Sequence, residues 1–344
     1  MIYSIDPHHT LDDLLSVISK NREVFALKQD NDSYHLVNAG TWDKTQYTLG
    51  DFRPVEPLKA LVFKPRESLG ALFSTEKKEV PERIVFGVKN CDLSALQIHD
   101  YVFASEPVDE HYKELRDKTI IVSCDCTRSC AVCFCPIVDE QPYALKGFDI
   151  NISVTKIGTL VESGSARGEK VLQEAAALLE KTTDTIIKER DRARASLTQQ
   201  IIDQCKPFGL EPGMDLCGAI KKSNEAAWWD EFAKDCVECG ACNFSCCTCH
   251  CFLLADGKND GVAGRIKQWD ACLYLNFARV AGNGNPRKHR SERLHNRFDK
   301  KFNFFPTVLK TIACDGCGRC AQACTGKIDI RKVLKRAVDE ARRV

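Results

Sequence analysis

The sequence predicts a mixed fold: an α/β domain in the first half, a helical segment after it, and a mostly helical C-terminal domain. Three observations predict this. Short β-branched runs alternate with helix-period segments over residues 1–164. A stretch over 165–205 has no Pro and one Gly and is rich in helix formers. Beyond residue 226, closely spaced cysteines punctuate the chain.

The elements follow in order. "TLDDLLSVISKN" opens on a Thr N-cap and carries Leu11, Leu14, Leu15 and Ile18 at helical spacing. "EVFALKQ" and "YHLVNAG" read as strands flanking the polar turn "DND". "RIVFGVK" and "KTIIVSC" are dense in β-branched residues, as buried strands are, and "DLSALQIHDYVF" between them suits a helix. Strand, helix, strand at this length predicts a parallel βαβ unit. "FDINISVTKIGTLVES" alternates as an antiparallel hairpin does. Over 165–205, Val171, Leu172, Ala175, Leu178 and Leu179 form one stripe, which predicts one or two helices linking the halves. The terminal "DIRKVLKRAVDEARRV" places Ile330, Leu334 and Val338 on one face of a helix docked on its own domain.

With 344 residues, 44% of them apolar and 28% charged, the chain has the composition of a soluble globular protein. Its length suits about two domains at roughly 150 residues each. The expected layout is 1–164, a helical linker at 165–225, and a domain at 226–344. No apolar run is long enough to span a bilayer, and the N-terminus lacks the pattern of a secretion signal. A cytoplasmic location without a membrane partner is therefore expected. Thiols stay reduced there, so twenty cysteines argue for metal or redox chemistry against a disulfide scaffold. The net charge of +1 hides a basic C-terminal part and an acidic first part. We read the basic excess as offsetting buried thiolates, since a buried charge is costly without partners, and not as a nucleic-acid surface.

Cys236, Cys239, Cys242 and Cys246 follow C-x2-C-x2-C-x3-C, and Cys314, Cys317, Cys320 and Cys324 repeat it. Three cysteines every third residue let one loop reach three corners of a [4Fe–4S] cube. In the two-cluster ferredoxin arrangement the fourth cysteine of each run serves the other cluster. The expected ligand sets are Cys236, Cys239, Cys242 and Cys324 for cluster one, and Cys314, Cys317, Cys320 and Cys246 for cluster two. This makes the C-terminal domain a ferredoxin-like dicluster domain. Structural zinc usually pairs two short C-x2–4-C units across a longer spacer, which fits two full quartets poorly. Gly240, Ala241, Gly316 and Gly318 suit a backbone folded tightly over inorganic sulfide.

Other cysteines remain. Cys249, Cys251 and Cys272, with Cys247, are either a further metal centre or buried thiols shielding cluster two. In the first half, Cys91 and Cys124 each follow a strand expected in a parallel sheet, at the edge where ligands bind. With Cys133 and Cys135 of "CFC" they are candidate ligands of a third iron–sulfur cluster. A zinc site, a Cys130/Cys133 dithiol and structural thiols are the alternatives.

Together "CDLSAL" (91–96), "CFC" (133–135), "TCHCF" (248–252), "WDAC" (269–272), "NPR" (285–287) and "CDGCGRC" (314–320) give a resemblance. The chain resembles the family of iron–sulfur electron-transfer subunits found in anaerobic sulfite reductases and, as the beta subunit, in sulfhydrogenases. The resemblance implies an electron conduit. On one side stands a flavin- and NAD(P)-binding oxidoreductase partner, on the other a terminal reductase, hydrogenase or heterodisulfide-reductase-like component. The sequence departs from the family pattern at Cys247 and Thr325, which follow the fourth cysteines, and at Asp299, where His is usual. Cys247 is thus a thiol placed to compete for cluster two.

The run "NPRKHRSERLHNRFDKK" has Leu294 and Phe298 at helical spacing, which predicts a packed helix whose Arg287, Arg290, Arg293 and Arg297 balance thiolate charge or meet acidic partners. No flavin or NAD site of its own is expected, because "AGNGNP" lacks the third Gly of the dinucleotide fingerprint and follows no strand. The leading functional expectation is electron transfer, not catalysis by the chain alone. The alternatives are direct reduction of a disulfide or sulfur compound at the N-terminal cysteine site, and nucleic-acid binding, which salt-dependent binding would reveal.

Overall fold

Two sheets organise the chain, in a computed structural model that describes residues 1–71, 79–259 and 262–343. The strands in chain order are β1 (Ile2–Ile5), β2 (Glu23–Asp30), β3 (Ser33–Gly40), β4 (Arg66–Ala71), β5 (Arg83–Val88), β6 (Thr119–Cys124), β7 (Ile150–Thr155), β8 (Gly158–Ser163), β9 (Leu179–Lys181), β10 (Phe252–Asn259) and β11 (Val262–Trp269). The chain separates into two units. The first holds Met1–Val62, Lys78–Ala131 and Glu140–Asp203; the second holds Phe63–Lys77, Val132–Asp139 and Gln204–Val344.

The first unit is built on a sheet of order β3-β2-β5-β6-β7-β8-β1-β9. β2, β5, β6 and β7 run parallel, and the β7–β8 hairpin is antiparallel, as the sequence predicts. β5 and β6 are buried along their whole length, which accounts for their unbroken apolar runs. The helix Leu11–Ile18 starts at Thr10, whose hydroxyl accepts from Asp13 N at 3.2 Å, and buries Leu14, Leu15 and Ile18. Asn90–Phe103 is the helix expected between β5 and β6, and Glu110–Asp117 adds a second.

The expected linker differs from the structure. The helix Ala166–Gln173 ends early, and Leu179–Lys181 pairs antiparallel with β1. Val171, Leu172 and Ala175 belong to the core of the large sheet. The physical reason is Asp149, whose carboxylate accepts from Arg167 Nη2 at 2.7 Å, from Ser165 Oγ at 2.6 Å and from Ile121 N at 2.9 Å. Residues 165–203 thus complete the first unit, and only the last residues of the helix Asp184–Cys205 fall in the second.

The second unit therefore begins before residue 226. Its three-stranded sheet has the order β10-β11-β4. Its core joins Trp228, Trp229, Leu294, Phe298, Phe302, Leu334 and Val338 with Phe134 and Ile137 of the Val132–Asp139 segment. The terminal helix Ile330–Ala341 buries Ile330, Leu334 and Val338, as expected. The basic run forms the helix Arg290–Asp299, followed by a π-helical turn at Lys300–Phe304. Among the described residues, no helix is long and apolar enough to cross a membrane.

Candidate metal centres

Cys236, Cys239 and Cys242 sit on a loop that enters the short helical turn Ala241–Phe244. Gly240 makes the bend at φ +72°, where an added Cβ would lie 2.7 Å from Tyr274 Oη. These three cysteines and Cys324 line one cavity, together with Cys320, Arg297 and Phe298. Arg290 Nη1 donates to Cys236 O at 2.8 Å, and Arg293 Nη2 pairs with Glu238 at 2.7 Å. The expected arginine row therefore divides: Arg290 and Arg293 hold the loop's backbone and its carboxylate, while Arg297 faces sulfur. Cys239 is the exposed cysteine among the twenty. The Ala241 amide lowers its pKa below the usual thiol value, with help from the Thr325 hydroxyl against the effect of burial. Cys242 is pushed up to about 12 by burial, which nearby Arg297 opposes.

Cys314, Cys317 and Cys320 lie on the "CDGCGRC" loop, and Cys246 comes close enough to Cys314 and Cys320 to interact with their charge. Two positive-φ glycines shape this loop, and the reason is not sulfide alone. A Cβ on Gly316 would lie 2.4 Å from Cys135 Cα, and one on Gly318 would lie 2.1 Å from Val132 O. Phe134 N donates to Gly316 O at 2.7 Å, so the segment Val132–Cys135 is pressed against the loop. Cys246 is held well below the usual thiol value because the Cys247 and Cys249 thiols donate to it, against burial and with help from Lys301. The expected competitor Cys247 has its sulfur 3.2 Å from Asp315 Oδ2 and 3.7 Å from Cys317 Sγ.

Cys249, Cys251 and Cys272 line a second cavity in the same unit, with Asn243, Arg297 and Lys301. The remaining candidates divide between the units. Cys91 and Cys124 belong to the first, and Cys133 and Cys135 to the second. Cys133 Sγ lies 3.9 Å from Cys317 O. In the first unit the neighbours of Cys124 are Cys126 and the fully buried Lys89, whose ammonium donates to Gly50 O at 2.7 Å. Burial raises both thiols, Cys126 to about 12, and Lys89 opposes this.

Sequence reasoning missed Lys301, Asn243 and Lys89. Lys301 is one of many basic residues in its run, and only the π-helical turn carries it inward. Asn243 falls inside the cysteine rhythm but carries no periodic signal of its own. Among the described residues, no three His, Cys, Asp or Glu side chains meet closely enough to hold a single metal ion. The thiols of the first expected set line one cavity, Cys246 lies near Cys314 and Cys320, and Arg297 and Lys301 stand near these thiols as buried cations. This donor set fits anionic thiolate-bound iron–sulfur clusters.

Comparison with known proteins agrees with that chemistry. Residues 235–328 match a family described as a 4Fe-4S dicluster domain. Sulfhydrogenase 2 subunit beta of Pyrococcus furiosus is 30% identical over 321 residues, covering 90% of this chain and 91% of that protein. The chain belongs to the iron–sulfur subunit family that includes sulfhydrogenase 2 subunit beta.

Proposed function

We propose that the chain is the electron-relay subunit of a multisubunit oxidoreductase. Cys236, Cys239, Cys242 and Cys324 would hold one [4Fe–4S] cluster, and Cys314, Cys317, Cys320 and Cys246 a second. Such clusters supply one-electron transfer at potentials set by charge, hydrogen bonding and burial. The chain's residues do the rest. Arg297 and Lys301 offset buried thiolate charge, the Ala241 amide and Thr325 hydroxyl stabilise the Cys239 thiolate, and Phe134 braces the second loop.

The observation that carries the reading is the gathering of both quartets in one unit, with Cys239 at its surface. An electron carrier needs such an accessible edge. The matched relative is by its name a subunit of a sulfhydrogenase, which supports membership of a larger assembly. In this reading a flavin- and NAD(P)-binding subunit lies on one side of the relay, and a hydrogenase, terminal reductase or heterodisulfide-reductase-like subunit on the other. The chain works without a flavin of its own, in the cytoplasm.

Purification of the tagged full chain from its own cells without oxygen tests this. The expected result is co-purification of a flavoprotein and a terminal oxidoreductase, with the isolated chain accepting electrons from dithionite but turning over no substrate. An isolated chain that reduces disulfides or sulfur compounds at catalytic rates would overturn it.

A further inference from the structure

Arg297 and Lys301 are each 5% exposed. Among the described residues neither has a carboxylate partner. Arg297 Nη1 donates to Cys249 Sγ at 3.3 Å, and its Nη2 to Cys242 O at 3.1 Å. Lys301 Nζ donates to Cys246 Sγ at 3.4 Å, Thr248 Oγ1 at 2.6 Å and Ala313 O at 2.9 Å. Two cations this deep are costly unless anions lie beside them, and the groups on hand are sulfur. Cys246 belongs to the ligand set proposed for the second cluster, but Cys249 belongs to neither set.

The surroundings of Cys249 are built in the same way. Asn243, 1% exposed, directs its Nδ2 at Cys272 Sγ at 3.1 Å and Cys249 Sγ at 3.8 Å. Cys251 stands directly before β10 and Cys272 three residues beyond β11, so the paired strands bring the two thiols together. Cys249, Cys251 and Cys272 thus line one cavity under two inward-pointing N–H donors, Asn243 and Arg297. N–H groups aimed at sulfur, with a buried cation beside them, are what a protein supplies to stabilise and tune a thiolate-bound cluster. Thiols that merely shielded the second quartet would need no such donors.

We infer that Cys249, Cys251 and Cys272 hold a third iron–sulfur cluster, with Asn243 and Arg297 donating to its ligand sulfurs. Three cysteines leave one cluster position to a ligand other than these thiols. The inference rests on the proposed pair of clusters only in sharing Arg297 and a common unit.

The test is iron and acid-labile sulfide per chain in the full-length protein purified without oxygen. With three [4Fe–4S] clusters, wild type carries about twelve irons, and the Cys251→Ala/Cys272→Ala variant loses about four while keeping about eight. A Cys249→Ser variant, a milder change, shows the same loss. Cys124→Ala keeps the full count, which separates this site from the thiols of the first unit. Wild type with about eight irons, or the full count surviving in both variants of the site, overturns the inference. Failure of the dicluster reading looks different, because wild type then falls below about eight irons.

Discussion

The ammonium of Lys301 lies 3.4 Å from Cys246 Sγ in a pocket closed by Thr248 Oγ1 and the Ala313 carbonyl. Burial pulls its pKa down, but the charge of the Cys246 thiolate, with the Cys249 sulfur beside it, outweighs that and holds it above the ordinary lysine value. It is therefore a fixed positive charge beside a proposed ligand of the second cluster. Taking a distance of roughly 6 Å and an effective dielectric of about 20, one charge is worth about 3 kcal/mol. For one electron that is on the order of 100 mV. Lys301→Met is expected to lower the potential of one cluster by about that much, and Lys301→Arg to move it far less. A potentiometric titration followed by EPR reads both; equal potentials in Lys301→Met and wild type would remove the lysine's role.

The contact between Gly316 and the "CFC" segment gives a second expectation. At φ +61°, with Cys135 Cα 2.4 Å from an added Cβ, Gly316→Ala meets both backbone strain and a backbone clash. Adding the left-handed penalty to an overpacking cost gives roughly 3 kcal/mol. Gly282 has φ +74° and nothing within 4 Å of an added Cβ, so Gly282→Ala costs only about 1–2 kcal/mol. Thermal melts of anaerobic protein should show a large drop in Tm for the first and a small one for the second. Similar melting of the two variants would mean that Val132–Cys135 does not press on the loop.

Cys246 and Cys247 are adjacent thiols with opposite roles. Cys246 accepts hydrogen bonds as a thiolate, whereas the pKa of Cys247 is raised well above the usual thiol value, mainly by its hydrogen bond to Cys246 and also by Cys317, burial and the charge of Asp315, whose Oδ2 lies 3.2 Å from its sulfur. Cys247→Ser keeps a donor in place and is expected to leave the iron content unchanged. Cys246→Ser removes a proposed ligand and is expected to lose about four irons. Iron assays on the two variants settle which thiol serves; the reverse pattern would exchange their roles.

Much of this was legible in the sequence where a pattern is local. Thr10 is the N-cap of its helix, β5 and β6 are the apolar runs, and the quartets lie in one unit. What was not legible depends on residues far apart in the chain. Leu179 reads as helical by its spacing, yet pairs with Ile5 because tertiary strand pairing overrides a short helical stripe. The "CFC" segment reads as part of the first half, but Phe134 packs in the second unit's core. Gly316 and Gly318 suggested room for sulfide, and the structure adds a close-packed backbone segment as a further reason. The inward turn of Lys301 depends on a π-helical register that composition does not encode.

Two thiolate ligand sets in the second unit are proposed each to bind an iron–sulfur cube. The most direct test of this is metal and sulfide content, with low-temperature EPR, of the full chain prepared and reduced without oxygen. The expected result is at least about eight irons with matching sulfide, and reduced-state signals from two interacting clusters. A colourless protein carrying stoichiometric zinc, or iron well below about eight per chain, would contradict it.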